Sequence, residues 1–354
     1  MFQDILGSDQ SLFMNEDALD YSFVPKLIPY RETQQKSIAH YIKPLFQNRT
    51  GRNIIVHGKP GVGKTVAVKH LFREIDDESD EVIPIYINCW KKNTTFKILV
   101  EICNEIGYKF TQNKNTEELF EVVKNVLNKK AVVFAFDEID KIEDFDFLYM
   151  LLEEIYKKSI ILITNYHTFL QGLDERVKSR LVADVLEFKP YNLEETIGVL
   201  KKRVEYAFVS GVFEEGVIDL IAKKTFELND MRTGLHMLRE AGLSAEDKSS
   251  KKISLEDANA AIDKLDGYSI NSKDDLQDEA QDILELIKAN SGKKMGDLFN
   301  IYQEKGGSSV YRTFVRKVKK LSDGKFVNLI KKEGGAEGNI TIVEATGVKK
   351  LNEF

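Results

Sequence analysis

One octapeptide, GKPGVGKT at residues 58–65, constrains the fold of this chain more than any other feature. It matches the complete phosphate-loop pattern, and it lies between an apolar strand-like run, RNIIVHG, and a helical pattern over residues 65–75. Glycines let backbone N–H groups converge on phosphate oxygens, and the helix that follows directs its N-terminus at the anion. The pattern therefore predicts a nucleotide site at the end of a buried strand.

The positions of this loop have predicted roles at the nucleotide. Lys64 neutralises the β- and γ-phosphates, and the Thr65 hydroxyl can be a ligand of Mg²⁺. The residues predicted to surround the phosphates are Gly58, Pro60, Gly61, Val62, Gly63, Lys64, Thr65 and Val66. The expected cofactors are therefore ATP or ADP together with Mg²⁺.

Two polar strand ends follow the loop along the chain. In FAFDEID the acidic pair Asp137 and Glu138 ends an apolar strand, where carboxylates are costly unless something compensates their charge. Asp137 can hold Mg²⁺ through water, and Glu138 can orient an attacking water. Asn165, at the end of ILITN, would lie near the γ-phosphate. The alternatives are a solvated acidic strand end and an asparagine that only ends its strand in a turn.

The order of apolar runs predicts the fold class. RNIIVHG, VIPIYINC, AVVFAF, SIILIT and ADVLEF alternate with helical patterns, which is typical of an α/β parallel sheet covered on both faces. Residues 192–265 show only helical periodicity, and Asn192 with Glu195 predicts a capped helix start there. DGYSINSKDD is predicted as a linker, and basic helices and two strand-like runs follow it. We therefore predict an ATPase base over 1–190, a helical lid over 191–268 and a winged helix over 269–354.

Charge is distributed unevenly along the chain. The net charge of −6 argues weakly against a nucleic-acid partner, but residues 288–332 contain twelve Lys or Arg against three acids, a local net of +9. The two cysteines, Cys89 and Cys103, form neither a disulfide framework nor a metal pattern, which favours a reducing compartment. Because we find no signal peptide and no membrane-spanning run, we expect a cytoplasmic, nucleoid-associated protein with no membrane partner.

The basic stretch contains one amphipathic helix pattern, residues 308–321. Val310, Phe314, Val318 and Leu321 form its apolar face, which predicts a helix that packs on its domain and enters a DNA groove with the other side. The predicted DNA contacts of this helix and of the following hairpin are Ser308, Arg312, Arg316, Lys319, Lys320, Lys331 and Lys332. A solvated basic face, or a winged helix that binds protein, is the alternative. Glu333 and Glu337 argue against a strong contact by the wing.

The order of motifs resembles a known family. GKPGVGKT, FDEID, ITN, LDERVKSRL and NDMRTGLHML are similar to the AAA+ ATPases of the initiator group, and most of all to the archaeal initiators related to the eukaryotic origin recognition complex and its helicase-loading partner. VPKLIPYRETQ before the loop and YINCW after the second strand narrow the resemblance, which covers residues 10 to 345. By resemblance, the adenine end of the site comprises Val24, Ile28, Pro29, Tyr30 and Arg31.

The resemblance assigns further residues. Arg180 in VKSRL matches an arginine finger that reaches a nucleotide on a neighbouring subunit, with an intramolecular salt bridge as the alternative. Arg232 in NDMRTG matches the second sensor, although Asn229 stands where the family often has glycine. The family also inserts an extra DNA-contacting helix, which would fall near residues 108–120 with Lys109 and Lys114 as contacts; an ordinary helix start is the alternative.

The implied function is an ATP-dependent replication initiator. It would bind double-stranded origin DNA, help load the replicative minichromosome-maintenance helicase, assemble with other initiator subunits and use its nucleotide state as a switch. Mg²⁺-dependent hydrolysis by one subunit would be slow, since the arginine finger acts across a subunit interface. Two alternatives remain: a standalone ATPase, such as a signal-transduction or mobile-element NTPase with a winged helix, and a transcriptional regulator whose ATPase base only senses a ligand.

Overall fold

The computed structural model describes residues 11–307, 309–323, 326–332 and 340–345, and of residues 266–281, 320, 323, 331, 332 and 340 it describes the backbone alone. The chain forms two compact units, residues 1–262 and residues 263–354. This division falls a few residues before the predicted boundary between lid and winged helix. None of the helices in the described part of the chain combines the length and apolar character needed to cross a membrane.

The first unit is built on a five-stranded parallel sheet. Its strands are β1 (Ile54–His57), β2 (Val82–Asn88), β3 (Ala131–Asp137), β4 (Lys158–Thr164) and β5 (Asp184–Glu187). Their order across the sheet is β2-β3-β4-β1-β5. The register pairs Asn88 with Asp137 and His57 with Thr164, so these polar strand ends lie at one edge.

Helices cover both faces of this sheet. They are α1 (Glu32–Ile42), α2 (Lys64–Glu78), α3 (Thr95–Glu105), α4 (Thr116–Leu127), α5 (Asp146–Glu154) and α6 (Glu175–Leu181). Side chains alternate along a strand, so Phe134 and Phe136 of β3 join the core under α3 to α6, whereas Val133 and Ala135 join the core under α1 and α2. The predicted α/β sheet covered on both faces is confirmed.

The lid follows β5, and its regular elements are helices joined by short connections. Its helices are α7 (Leu193–Ala207), α8 (Val217–Leu228), α9 (Met231–Asp247) and α10 (Leu255–Ala289). The predicted start of α7 is confirmed by a reciprocal capping box between Asn192 and Glu195. The predicted linker DGYSINSKDD is wrong, because it lies within α10. With one glycine and no proline it contains nothing that must end a helix.

Asp257, near the start of α10, ties this helix to α9. Its carboxylate is 2% exposed and accepts hydrogen bonds from Ser244, Lys248 and Ser254 at 2.7–3.0 Å. Burial alone would raise the pKa of Asp257, but the hydrogen bonds from Lys248, Ser254 and Ser244 outweigh burial and lower the pKa well below its usual range. The charged form is therefore the one that stabilises the fold.

We expect Asp257→Ala to lower the free energy of unfolding by about 3 kcal/mol at neutral pH, because it leaves buried donors without an acceptor. Since the folded pKa lies below the unfolded value, this stabilisation is complete above the unfolded pKa, about 4, and is lost as the pH falls below it. Denaturant unfolding at pH 7 and pH 3 measures both effects. Glu256→Ala is the matched control, since Glu256 is 84% exposed and also pairs with Lys248. Equal losses for the two variants would contradict the prediction.

The second unit contains the end of α10, two further helices and a small antiparallel sheet. The elements are β6 (Lys293–Lys294), α11 (Met295–Glu304), α12 (Tyr311–Asp323), β7 (Val327–Lys332) and β8 (Ile340–Ala345). The sheet order is β6-β8-β7, and its core includes Leu298, Phe314, Val318 and Val343. Helices followed by a hairpin match the order predicted for a winged helix. The two-residue strand β6 was not predicted, because so short a strand carries no periodicity.

Candidate nucleotide site and basic helix

A cleft of about 630 Å³ lies between the carboxyl ends of β2 and β3 and lid helix α9. The base contributes the phosphate loop from Gly61 to Val66, together with Asp137 and Glu138. The lid contributes Met231, Arg232 and Leu235. Ligands of parallel α/β sheets bind outside the carboxyl ends of the strands, so this cleft has the position expected for a nucleotide.

Two glycines allow the loop its close approach to the lid and to helix α2. A Cβ at Gly61 would lie 2.1 Å from the Asp230 Oδ1 atom of the lid. Gly63, with φ of 91°, is the N-cap of α2 and adopts the left-handed backbone conformation that glycine tolerates best. Gly58 and Pro60, which were also predicted to surround the phosphates, do not line the cleft.

Lys64 lies at the start of α2 and is almost completely buried. Its Nζ donates to the Gly58 oxygen at 2.7 Å, the Lys59 oxygen at 2.9 Å and Asn165 Oδ1 at 3.0 Å. The structure thus brings together two residues that are 101 positions apart in the sequence. Burial lowers the pKa of Lys64 to about 8, while Asp137 opposes and Arg232 adds to the shift.

This pKa predicts a pH dependence of nucleotide binding. Only charged Lys64 neutralises phosphate, so deprotonation as the pH rises past about 8 removes that interaction. We expect the dissociation constant for ADP to rise about tenfold between pH 7 and pH 9. Titration calorimetry over this range measures the change. Lys64→Ala should show no such slope, and a constant affinity of the unmodified chain up to pH 9 would contradict the prediction.

Asp137 is the most strongly bonded acid of the cleft. It is 3% exposed, and its Oδ2 accepts from Thr65 Oγ1 at 2.6 Å and from Tyr86 Oη at 2.7 Å. Its Oδ1 accepts from the Glu138 amide at 2.9 Å. The described residues contain no group of three or more His, Cys, Asp or Glu that could hold a metal ion. Hydroxyl and carboxylate oxygens suit Mg²⁺, which is usually held by one or two protein ligands together with phosphate and water.

Glu138 follows directly in an unusual backbone conformation. Its φ of 54° is left-handed, which is strained for a side chain of this size. Burial raises the pKa of Glu138, and the neighbouring Asp137 and Asp140 raise it further. A raised pKa improves a carboxylate as a proton acceptor from water near neutral pH.

The predicted adenine end divides into two groups. Val24 lines the main cleft, and Ile28 and Pro29 line a smaller, mostly apolar pocket of about 70 Å³ that also contacts the lid. Tyr30 lines neither space; its φ is 63° and its ring lies against Gly198 of α7. The apolar lining of the smaller pocket beside the phosphate loop is the kind of surface against which the face of a purine ring packs.

Arg31 also lines neither space, contrary to the prediction from resemblance. It is 3% exposed, its Nε donates to the Val62 oxygen at 3.0 Å and its Nη2 donates to the Lys189 oxygen at 2.7 Å. Its guanidinium lies 3.8 Å from the ring centre of Tyr191. Arg31 therefore ties the phosphate loop to the segment that leads into the lid.

The two predicted arginines lie in different places. Arg232 lines the cleft and pairs with Asp230, the N-cap of α9, at 2.9 Å. Asn229 has a φ of 54° at the end of α8, a conformation that asparagine tolerates almost as glycine does. Arg180 on α6 lies outside the cleft, bonds to Glu153 and lies 4.8 Å from the Tyr149 ring centre. The intramolecular salt bridge, given above as the alternative, is thus present within the single chain.

Several side chains of the cleft were not predicted. They are Tyr21, Ser22, Lys69, Tyr86, Asn88, Trp90, Lys91, Arg203, Met231 and Leu235. Side chains alternate along a strand, so Tyr86 and Asn88 of YINCW lie on one face. This alternation is the signal in the sequence that identifies these two residues.

The basic helix of the second unit is α12. Phe314 and Val318 are fully buried, while Arg312, Arg316 and Lys319 are exposed and help to line an open groove of about 310 Å³. The helix begins at Tyr311 rather than at Ser308, and Val310 is 67% exposed, so the predicted start and this one apolar-face residue are wrong. Ser308 and the side chains of Lys320, Lys331 and Lys332 lie outside the described residues.

Within residues 108–120, where the resemblance predicts an extra helix, residues 108–115 are not helical and residues 116–120 are the first part of α4. Lys109 and Lys114 lie in an irregular connection, and α4 begins at Thr116 behind a capping box of Asn115 and Glu118. Thr116 is thus a helix start, as the alternative has it, and DNA contacts by Lys109 and Lys114 stay a prediction. Gly107, with φ of 81°, ends the preceding helix, and the polar segment after it has no apolar periodicity that could support a helix.

Family models match two parts of the first unit. Residues 47–170 match the AAA domain, and residues 197–263 match the Cdc6 AAA+ ATPase-type lid domain. The first match covers the phosphate loop, the acidic strand end and Asn165, and the second covers most of the lid with Arg232.

Whole-chain comparisons agree with these matches. The ORC1-type DNA replication protein 1 of Archaeoglobus fulgidus is 31% identical over 324 residues, which cover 86% of this chain and 79% of that protein. The structure of the Aeropyrum pernix ORC1 protein in complex with DNA is similar in fold, with a TM-score of 0.71 and 23% identity over 96% of this chain and 94% of that one. The Aeropyrum pernix ORC2 protein in its ADPNP–ADP complexes has a TM-score of 0.66 and 17% identity, covering 94% of each chain.

Proposed function

Since this chain belongs to the archaeal Orc1/Cdc6 family of DNA replication initiators, we propose that it binds double-stranded origin DNA through α12 and uses bound ATP or ADP as a switch. One observation carries the proposal: α12 buries Phe314 and Val318 on one side and exposes Arg312, Arg316 and Lys319 on the other. A recognition helix needs this division, because one side must pack on its domain while the other meets the DNA. The cleft on the same chain would hold the nucleotide whose state sets the switch.

The chemistry proposed for the cleft is Mg²⁺-dependent ATP hydrolysis. Lys64 would bind the β- and γ-phosphates, and Thr65 and Asp137 would hold the metal, which neutralises developing charge on the phosphates. Glu138 would orient and deprotonate the attacking water, with Asn165 beside the γ-phosphate. The isolated chain would hydrolyse ATP slowly, because Arg180 lies outside its own cleft and would act only on a neighbouring copy.

Arg232 is the residue proposed to report the nucleotide state to the lid. It lines the cleft while its guanidinium pairs with Asp230 of its own helix. A γ-phosphate in the cleft would compete with Asp230 for this guanidinium, and the outcome would alter how α9 rests on the base. ATP and ADP would therefore favour different lid positions, as a switch requires.

The partners proposed beyond DNA follow from family membership. We propose that the chain assembles with other initiator subunits, helps to load the minichromosome-maintenance type of replicative helicase, and is associated with the nucleoid through its DNA site. Co-purification of the helicase with the initiator from its source, and its loss when origin binding is abolished, would test the loading role.

Footprinting on origin DNA tests the DNA-binding proposal. We expect protected repeats, and a loss of protection in Arg312→Ala/Arg316→Ala. If both arginines contact phosphates, the slope of log affinity against log salt should fall by about 2 in magnitude, because each contact releases about one counterion. Lys251→Ala/Lys252→Ala removes the same charge from exposed lid positions and should leave the footprint unchanged.

The other outcomes of this experiment favour the alternatives. No protection at any salt concentration, with ATP still bound, favours a standalone ATPase whose winged helix binds protein. Protection only at promoters favours a transcriptional regulator. A footprint that is equally weakened in both double variants would mean that general positive charge, rather than α12, is responsible.

A further inference from the structure

The hydroxyl of Tyr86 makes a hydrogen bond that the packing of its ring does not require. Tyr86 lies on β2 two positions before the strand end, and its Oη donates to Asp137 Oδ2 at 2.7 Å. A phenylalanine would fill the same space, so the hydroxyl is not needed for packing. The hydroxyl instead serves the carboxylate that is proposed to hold the metal.

Lys69 contacts the face of the Tyr86 ring. It lies on α2, lines the same cleft, and its Nζ is 4.4 Å from the centre of the Tyr86 ring. An ammonium at this distance over an aromatic face is attracted by the π-electrons of the ring. The ring is thus held between α2 and β3, two elements that also carry Thr65 and Asp137.

The two hydroxyls on Asp137 Oδ2 are not equivalent. Thr65 Oγ1, at 2.6 Å, belongs to the phosphate loop and is itself a proposed ligand of Mg²⁺. A hydroxyl that coordinates the metal gives a lone pair to the ion and can still donate its proton to Asp137, so the position of Thr65 Oγ1 is set by the metal as well as by the carboxylate. Tyr86 is not a proposed ligand of the metal, so its hydrogen bond to Oδ2 depends on the fold alone, while the Glu138 amide donates to Oδ1.

We propose that Tyr86 is a positioning residue for the metal site: its hydroxyl holds the Asp137 carboxylate in the orientation that Mg²⁺ requires, and Lys69 holds the ring in place. The inference rests on the proposed nucleotide function. Partners in the outer shell of a metal site orient the ligands, and their loss commonly weakens metal affinity by about 10- to 100-fold.

The test is Tyr86→Phe, with Mn²⁺ as the probe. Binding of Mn²⁺ to the protein–ADP complex is followed by electron paramagnetic resonance, and ADP binding is measured separately in EDTA. We expect the Mn²⁺ dissociation constant to rise about tenfold, whereas ADP affinity in EDTA stays within about twofold, because the hydroxyl contacts the carboxylate rather than the phosphate loop. Tyr41→Phe, on a half-buried tyrosine of α1 outside the cleft, should change neither value.

A second variant guards against failure of the first to fold. Lys69→Met keeps the length of the side chain and removes the ammonium, and it should raise the Mn²⁺ dissociation constant about threefold. Unchanged Mn²⁺ affinity in either folded variant would overturn the inference while leaving nucleotide binding intact. An unmodified chain that binds no ADP, with or without metal, would instead overturn the nucleotide function and this inference with it.

Discussion

Replacing Lys64 with alanine is expected to weaken binding of ADP and ATP by at least about a hundredfold, a loss of about 2.7 kcal/mol. Lys64 is the cation at the start of α2, and its ammonium already makes three hydrogen bonds, two to oxygens of the loop and one to Asn165 Oδ1. A nucleotide would exchange some of these for phosphate oxygens, and charge-assisted hydrogen bonds are about twice as strong as neutral ones. Titration with a fluorescent ADP analogue measures the loss.

Lys59→Ala is the matched control for this experiment. Lys59 belongs to the same loop, but its side chain is exposed and does not line the cleft. It should therefore change ADP affinity by less than about threefold, a surface effect. Thermal unfolding gives an independent readout, since saturating ADP raises the Tm of the unmodified chain and should not raise that of Lys64→Ala. Near-normal affinity in Lys64→Ala would contradict the assignment of the cleft to phosphate.

Replacing Glu138 with glutamine is expected to lower ATP hydrolysis by about 10²- to 10³-fold while nucleotide binding is retained. Glutamine has the same shape but cannot accept a proton from water. The left-handed backbone at Glu138 directs this particular side chain into the cleft, and its raised pKa fits a proton acceptor. Hydrolysis is measured as phosphate release under conditions in which every subunit holds ATP.

Glu143→Gln provides the comparison for Glu138→Gln. Glu143 is an exposed acid five positions further along, bonded to Asn93 and outside the cleft. Its replacement should leave hydrolysis unchanged. If Glu138→Gln hydrolyses ATP at the normal rate, Glu138 is a structural acid and another group must activate the water. If it loses nucleotide as well as activity, the residue contributes to binding rather than to the chemical step.

Features encoded by neighbouring residues could be predicted from the sequence. The phosphate loop and its flanking elements lie within one short segment, so the requirement for glycine, lysine and threonine can be recognised directly. The capping box of Asn192 and Glu195 is equally local. The parallel sheet was predictable because β3, buried along its whole length, contains almost only apolar residues.

Contacts between distant segments could not be predicted in this way. Arg31 bonds to the Lys189 oxygen, 158 positions away, and Tyr86 bonds to Asp137, 51 positions away. No periodicity links such residues, because the pairing depends on how strands and loops are arranged in space. The salt bridge of Arg180 with Glu153 was foreseen only as one of two alternatives for the same reason. The start of α12 was missed because Val310, although apolar, is exposed just before the helix.

The buried contacts of Arg31 affect how the lid can move relative to the phosphate loop. One planar guanidinium holds the Val62 oxygen, the Lys189 oxygen and the ring of Tyr191 together. These contacts hold the first residues of the lid connection against the phosphate loop, so we expect the lid to move mainly by rotation about this end. Such a hinge amplifies displacement with distance from its axis: a small tilt at residue 189 becomes a large sweep at the far ends of the lid helices. Spin labels placed at those far ends should thus be far more sensitive gauges of lid angle than labels beside the hinge.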